Sequence, residues 1–202
     1  VGNEFYQLWL DEGMTYSSAM FAAGDNDLLR AQNRKYDRIL NRLGEAENVL
    51  EVGCGWGGFA EQATQEGRNV TGVTISRNQH SYATCRLDGL ADIQLRDYRD
   101  IKGSFDNIVS IEMIEAVGLK YWPTYFSTLK RNLAKDGRIV VQAITVQDDY
   151  FETYKTSSDY IRQYVFPGGM LMSDSMIKEQ AQGAGLQVCD NFAFGQDYAK
   201  TC

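Results

Sequence analysis

The run Val49-Leu50-Glu51-Val52-Gly53-Cys54-Gly55-Trp56-Gly57-Gly58-Phe59 carries the clearest chemical signal in the chain. Val49 to Val52 read as a short buried strand, and the glycines that follow make a tight turn into a helix. Glycine is needed where φ is positive or where a ligand must approach the backbone, because a Cβ obstructs both. The N-terminus of the next helix then offers unpaired N–H groups to that ligand. Strand, glycine turn and helix in this order are how open α/β sheets hold nucleotide-like cofactors. A glycine turn without a ligand is the plainer reading, and so many glycines directly after a strand weigh against it. Gly53, Gly55 and Gly58 also satisfy G-x-G-x-x-G, which in dinucleotide enzymes is followed about 20 residues on by an acidic residue. That count lands near Val73-Thr74-Ile75-Ser76, where there is no carboxylate.

Glu115 is the second candidate. It follows the fourth predicted strand at the carboxyl edge of the sheet, where a carboxylate can serve as acid or base. As a carboxylate at a helix start it would equally be favoured by the helix dipole, and the residues alone leave both readings open. The single histidine, His80, is read as a surface residue of the helix after the second strand, so no histidine base is evident.

Positioning these residues falls to an alternating pattern. Asp25 or Asn26 caps a helix beginning near Asp27, Leu28 to Leu43 recur at helical spacing, and Gly44 ends it. Strands are predicted at 49–52, 69–74, 93–95, 105–111 and 138–144, the last entered through the turn Asp136-Gly137. Between them lie helices from Gly57 to Gly67, from the Ser76 cap to Leu87, and from Pro123 to Leu133. Strands alternating with helices imply right-handed crossovers, hence an α/β fold with a mostly parallel sheet and helices on both faces. The alternation breaks at an insertion of about 147–170, crowded with Tyr150, Phe151, Tyr154, Tyr160, Tyr164 and Phe166. Aromatic stripes at helical spacing are usually core. Placement after the fifth strand, over the carboxyl ends, instead favours a helical cap for a hydrophobic substrate. Ser173 caps one more helix to Ala184, and Gln187–Phe194 reads as a last strand. The aromatic N-terminal residues 1–21 read as a segment packed on the sheet edge, or as a lid whose Tyr16-Ser17-Ser18 reaches the cofactor. The residues themselves favour the first.

Composition bounds the partners. The 202 residues suit a single domain with a full core, 44% of them being apolar, and a chain starting at Val1 reads as part of a longer protein. No stretch approaches the ~18 consecutive apolar residues of a membrane span. A net charge of −7 argues against nucleic acid and against strong adhesion to anionic lipid. Cys54, Cys85, Cys189 and Cys202 form no C-x-x-C pair, which argues against a metal or a disulfide framework and for the cytoplasm.

Glu51, before the first glycine, fits the E-x-G-x-G-x-G turn of S-adenosylmethionine (SAM) methyltransferases. Further runs sharpen this: Gly2-Asn3-Glu4-Phe5-Tyr6, Met14-Thr15-Tyr16-Ser17, Gly72 to Gln79, Asp97-Tyr98-Arg99-Asp100, Ser110 to Gly118, Tyr164 to Gly169 and Phe194 to Tyr198. With Val49–Gly58 they resemble the cyclopropane-fatty-acyl-phospholipid synthase family, which includes the mycolic acid cyclopropane synthases, along essentially the whole chain. The resemblance implies a class I SAM methyltransferase fold and a reaction on an unsaturated acyl lipid, giving a cyclopropane or methyl-branched product. It implies a SAM pocket, vacated as S-adenosylhomocysteine, lined by Tyr16, Ser17, Glu51, Gly53, Cys54, Gly55, Trp56, Gly57, Thr74, Ile75, Gln79, Tyr98 and Arg99. Gln79 would replace the missing strand-end carboxylate at the ribose.

The chemistry needs a stabilised carbocation, a dry chamber and a base. The family meets the last need with a bound bicarbonate, whose ligand positions fall here on Ser18, Glu115, Gln142, Ile144 (through its backbone) and Tyr198. Ala116 and Gln142 stand where the family commonly has histidine, and Ser18 where it has cysteine. Gln142 and Ser18 remain neutral hydrogen-bonding groups. The same frame suits methyl or methylene addition as well as ring closure. A methyltransferase for a small soluble amine and a SAM-binding module without turnover are the alternatives. A lipid acceptor implies peripheral contact with the inner membrane face, and a homodimer is compatible with all three readings.

Overall fold

The computed structural model describes residues 2–201. Asn3–Tyr6 forms a single helical turn, α1, and the first long helix, α2, runs from Leu28 to Leu43. Its cap is Asp27, whose carboxylate accepts the Arg30 N–H, one or two residues beyond the predicted Asp25 or Asn26. β1 (Asn48–Val52), β2 (Asn69–Thr74), β3 (Asp92–Leu95), β4 (Phe105–Ile111) and β5 (Leu133–Gln142) make one sheet in the order β3-β2-β1-β4-β5. Every pairing in it is parallel. Helices α3 (Gly58–Gln65), α4 (Arg77–Leu87) and α5 (Trp122–Asn132) connect the strands. Ser76 accepts the Gln79 N–H as the cap of α4, as predicted, and a proline lies in the first turn of α5.

The central strands β1, β2 and β4 are buried on both faces, and their alternation sorts the core into two halves. Val49, Val70 and Val109 pack against α2, α3 and α4. Leu50, Val52 and Ile108 face Trp122, Tyr125, Phe126 and Leu129 of α5. The chain runs outward from β1 through β2 to β3, then returns to the other side of β1 for β4. The crevice between β1 and β4 is thus the topological switch point, where open α/β sheets receive ligands.

Three expectations need correction. β5 begins at Leu133, not Arg138, and runs straight through Asp136 (φ +64°), where its register with β4 shifts. The predicted strand Gln187–Phe194 has no ladder: Phe192 and Phe194 stack at 6.0 Å, and the Arg38 guanidinium lies 3.8 Å from the Phe192 ring centre. Those ring contacts turn the segment toward α2 instead of a sheet edge. The insertion is helical in part, with α6 (Phe151–Thr156) and a π-turn at Ile161–Val165. It is bounded by a two-stranded parallel pair, β6 (Thr145–Val146) with β7 (Met172–Ser173), that the sequence did not announce. α7 (Asp174–Gly183) and α8 (Gly195–Thr201) complete the chain.

Among the described residues no helix is long and apolar enough to cross a membrane. Cys54 is a buried free thiol, Cys85 and Cys189 are exposed free thiols, and Cys202 lies outside the described residues.

Candidate active site

A cavity of about 490 Å³ opens at the switch point. That volume lies within the usual range of small-molecule sites. One wall is the glycine turn. Gly53, Gly55 and Gly57 all have positive φ, at +83°, +53° and +85°. A Cβ on Gly55 would meet nothing within 4 Å, so this position is bare backbone facing open space. At Gly57 a Cβ would stand 3.2 Å from both Ala83 and Leu87 of α4. Gly57 therefore sits at the start of α3 and lets two helices close, and it does not line the cavity.

Every other residue predicted for the cofactor does line it: Tyr16, Ser17, Glu51, Gly53, Cys54, Gly55, Trp56, Thr74, Ile75, Gln79, Tyr98 and Arg99. Thr74 at the end of β2 donates its hydroxyl to Gln79 Oε1 at 2.7 Å, holding the glutamine side chain at the mouth of the site. Arg99 is clamped by both oxygens of Asp97, at 2.9 and 2.5 Å. Asp97 itself lines the cavity just past β3, a carboxylate that the count of about 20 residues from the glycines does not reach. His80, read as a surface residue, is half-buried, and its Nε2 lies 3.1 Å from the Ile93 carbonyl.

The N-terminal segment lies against this site, with Tyr16 and Ser17 on the cavity wall. Trp56 Nε1 donates to Asn3 Oδ1 at 2.9 Å, and the Tyr6 ring packs on Trp56 at 4.9 Å. Tyr16 packs on Tyr6 and Trp9, and its ring lies 6.1 Å from Phe166 of the insertion. Ser17 is fixed from below: Lys35 Nζ donates to its hydroxyl at 2.6 Å and Gln32 Nε2 to its carbonyl at 2.9 Å.

Beneath the cavity lie charges that the sequence gives little reason to expect in a core. Glu51 is fully buried, its Oε2 has no hydrogen-bond partner, and burial raises its pKa well above the ordinary range. A buried, unpaired carboxylate oxygen beside a cavity fits a ligand that carries hydrogen-bond donors, as SAM does at its ammonium and hydroxyl groups. Lys35 is buried too, and desolvation pushes its pKa down to about 7 against the attraction of Glu112, Asp11 and Glu51.

Four of the five positions assigned to anion chemistry converge. Glu115 Oε1 accepts the Ile144 N–H at 2.6 Å, while its Oε2 is buried without a partner. Burial pushes the Glu115 pKa up to about 7, against the hydrogen bond from Ile144, which lowers it. Gln142 Nε2 donates to the Ser18 carbonyl at 3.2 Å and to Glu112 Oε1 at 2.8 Å. The Ser18 N–H also donates to Glu112 Oε1, at 2.8 Å. Tyr198, the fifth position, is half-exposed on α8, whose Thr201 hydroxyl accepts the Ala19 N–H at 3.0 Å and so draws that helix beside Ser18.

Glu112 is the functional candidate that sequence reading passed over. It is the first residue after β4, has φ +47°, and lines the cavity, whereas Glu115 does not. Its pKa is raised by burial and held back by the Ser18 and Gln142 hydrogen bonds and by Lys35. The available signal was its place: a carboxylate one step past the strand that borders the switch point. Residues 147–170 contribute nothing to the cavity wall among the described residues. Phe151 and Tyr154 of the insertion are buried, and Tyr160, Ile161, Tyr164, Val165 and Phe166 are exposed.

The strand order, the glycine turn after β1 and the cavity at the switch point define a class I SAM methyltransferase fold. Comparison with known proteins narrows this: the family model described as "Mycolic acid cyclopropane synthetase" matches residues 1–202, and the chain belongs to that family. It is 36% identical over 216 residues to the tuberculostearic acid methyltransferase UfaA1 of Mycobacterium tuberculosis, covering 100% of this chain and 51% of that protein. It is 37% identical over 205 residues to the cyclopropane-fatty-acyl-phospholipid synthase of Escherichia coli strain K12, covering 100% and 52%. The chain thus spans about half the length of these relatives. Among solved structures, the mycolic acid cyclopropane synthase CmaA1 complexed with SAH and CTAB superposes with a TM-score of 0.90 at 30% identity, covering 99% of this chain and 76% of that one.

Proposed function

We propose that the protein transfers the methyl group of SAM to the double bond of an unsaturated fatty acyl lipid, giving a cyclopropane or methyl-branched chain. The observation that carries this reading is a pair of buried carboxylates three residues apart, Glu112 on the cavity wall and Glu115 off it, with Gly55 presenting bare backbone to the same cavity. A methyltransferase for an amine or hydroxyl needs one base at most. An alkene acceptor needs negative charge near a carbocation and a proton acceptor in a water-poor site.

When bound, SAM supplies an electrophilic methyl group that the alkene π electrons take, leaving a thioether and a carbocation on the acyl chain. Gly53 and Gly55 would hold the amino-acid and nucleoside portions against the backbone, with Thr74, Gln79 and Asp97 toward the ribose and Glu51 beneath. Tyr16 and Ser17 would border it from the N-terminal segment. Glu112 and Glu115 supply the negative charge that favours the cation, and Lys35 keeps the sum of buried charge small. The exposed apolar side chains Tyr160, Ile161, Tyr164, Val165 and Phe166, the last adjoining Tyr16 at the edge of the site, support acyl-chain delivery from a membrane surface touched peripherally on its inner face. Methyl branching is the favoured product within this reading. Ala116 and Gln142 remove two groups common in cyclopropane-forming members, and UfaA1 bears a methyltransferase name.

Fatty-acid analysis by mass spectrometry of cells expressing the full-length protein tests this. Acids heavier by one CH2, with the original double bond converted to a ring or moved into a branched alkene, are expected. Unchanged acids, alongside methyl transfer to a soluble amine, would replace the acyl reading with that of a small-molecule methyltransferase.

A further inference from the structure

We propose that Glu112 occupies, as part of the chain, the position that the family resemblance gives to a bound bicarbonate, and that the reaction proceeds without an external anion. The inference rests on the acyl-lipid reading for its chemistry, but not for its geometry. Besides the Tyr198 hydroxyl on α8, an anion at that position would need the donors of Ser18, Gln142 and Ile144, and these three are already engaged. The Ser18 N–H and one Gln142 Nε2–H go to Glu112 Oε1 at 2.8 Å each, and the other Gln142 hydrogen goes to the Ser18 carbonyl at 3.2 Å. The Ser18 hydroxyl points to the Ala19 carbonyl at 3.3 Å, and the one Ile144 N–H is held by Glu115 at 2.6 Å. A bicarbonate brought within hydrogen-bonding distance would also face two carboxylates, while the buried Lys35 ammonium donates to Ser17 and Gln32. The residues present do not fit the ion.

They do fit its replacement. A glutamate carboxylate presents the same planar pair of oxygens. Glu112 reaches the position by adopting φ +47°, a conformation that a side chain with a Cβ rarely takes. Its own N–H is bonded to the Gln142 carbonyl at 2.8 Å, so the turn is held from both sides. Backbone strain maintained in this way, on a residue that lines the cavity, points toward function.

The step it performs is proton removal. A C–H bond of the newly attached methyl breaks, its electron pair closes the ring onto the cationic carbon, and the proton passes to the Glu112 carboxylate. Where a hydride first shifts from the methylated carbon to its neighbour, the same proton loss leaves a methylene group instead. The neutral Glu112 then returns the proton to solvent.

Turnover of the full-length protein on vesicles of unsaturated phospholipid, measured in buffer freed of carbon dioxide and again with added bicarbonate, tests the proposal. The unmodified protein is expected to run at the same rate in both. Glu112→Gly, which relieves the positive φ and opens the position, is expected to lose activity by ~100-fold or more and to regain part of it with bicarbonate. Glu112→Gln fills the space without a base and is expected to lose activity with no rescue. A second readout needs no turnover: carbon-13-labelled bicarbonate is expected to show no bound signal with the unmodified protein and a bound signal with Glu112→Gly. A bicarbonate requirement in the unmodified protein, bound label there, or a fully active Glu112→Gln would each overturn the assignment. Absence of turnover under every condition would count against the acyl-lipid reading, and the labelled ion would still decide this one.

Discussion

Replacing Glu115 with glutamine separates what the carboxylate does for chemistry from what it costs the fold. Its pKa moves from an ordinary 4.5 to about 7 because burial opposes the charged form more than the Ile144 N–H favours it. Through the window from 4.5 to about 7 the folded chain keeps a proton that the unfolded chain has already released, so stability falls as pH rises. At pH 8 the ionised side chain costs the fold about 3 kcal/mol relative to a neutral group of the same shape, and at pH 5 less than about 1 kcal/mol. Glutamine is that neutral group, and it can still accept the Ile144 N–H. Glu115→Gln is therefore expected to leave stability nearly unchanged at pH 5 and to raise it by about 2–3 kcal/mol at pH 8, while methyl transfer is lost and SAM affinity is kept. Urea unfolding at both values, with the slope checked for constancy, reads the difference. Equal effects at the two pH values, or a less stable variant at pH 8, would refute the desolvated carboxylate. Parallel loss of SAM affinity would move Glu115 from the reacting end of the site to the cofactor.

The glycines give a matched pair. Gly55→Val fills open cavity and is expected to weaken SAM binding by ~10-fold or more in calorimetry. Gly57→Ala strains φ +85° and presses on Ala83 and Leu87, so it should lower stability by ~1–3 kcal/mol and leave the SAM affinity of folded protein intact. Lys35 titrates in the opposite sense to Glu115: its pKa falls to about 7, so from there to 10.5 the unfolded chain holds the extra proton and stability rises with pH. Lys35→Met should flatten that rise in a pH series of denaturation midpoints. It should also loosen Ser17, seen as faster amide exchange at residues 16–18.

Legibility followed the range of the interactions involved. Strand β1, the glycine turn and the Ser76 cap of α4 are local, since residue types within a few positions decide them, and each was found where the pattern put it. The Gln187–Phe194 segment shows the converse. Its alternation suited a strand, but a strand also needs a partner edge, and Phe192 instead found Arg38 and Phe194. The insertion was mixed for the same reason. Its aromatic content could be read directly, but which rings are buried depends on α5 and on the β6–β7 pair, both distant in sequence. Gly57 looked like its neighbours in a run of glycines, and only the position of α4 separates a helix-packing glycine from a ligand-facing one.

Glu112 was hidden by a different cause. Both glutamates follow β4, and Glu115 drew notice as the one matching a known motif, whereas the chemistry of a site depends on which carboxylate turns toward the cavity. That is set by one backbone angle. At φ +47° the chain reverses directly after Ile111 and sends the Glu112 side chain toward Ser18 and Gln142. An extended residue there would continue the strand and place its side chain elsewhere. The choice then propagates: with Glu112 turned in, Ser18 and Gln142 are committed as its donors, Glu115 is left with Ile144, and the buried Lys35 balances the added charge. Neutral groups at 18 and 142 are what such an arrangement requires. A cationic histidine at 142 would form a buried ion pair with Glu112 and hold its carboxylate ionised and less basic, working against its use as the proton acceptor. The departures at Ser18 and Gln142 and the glutamate at 112 are thus one structural decision.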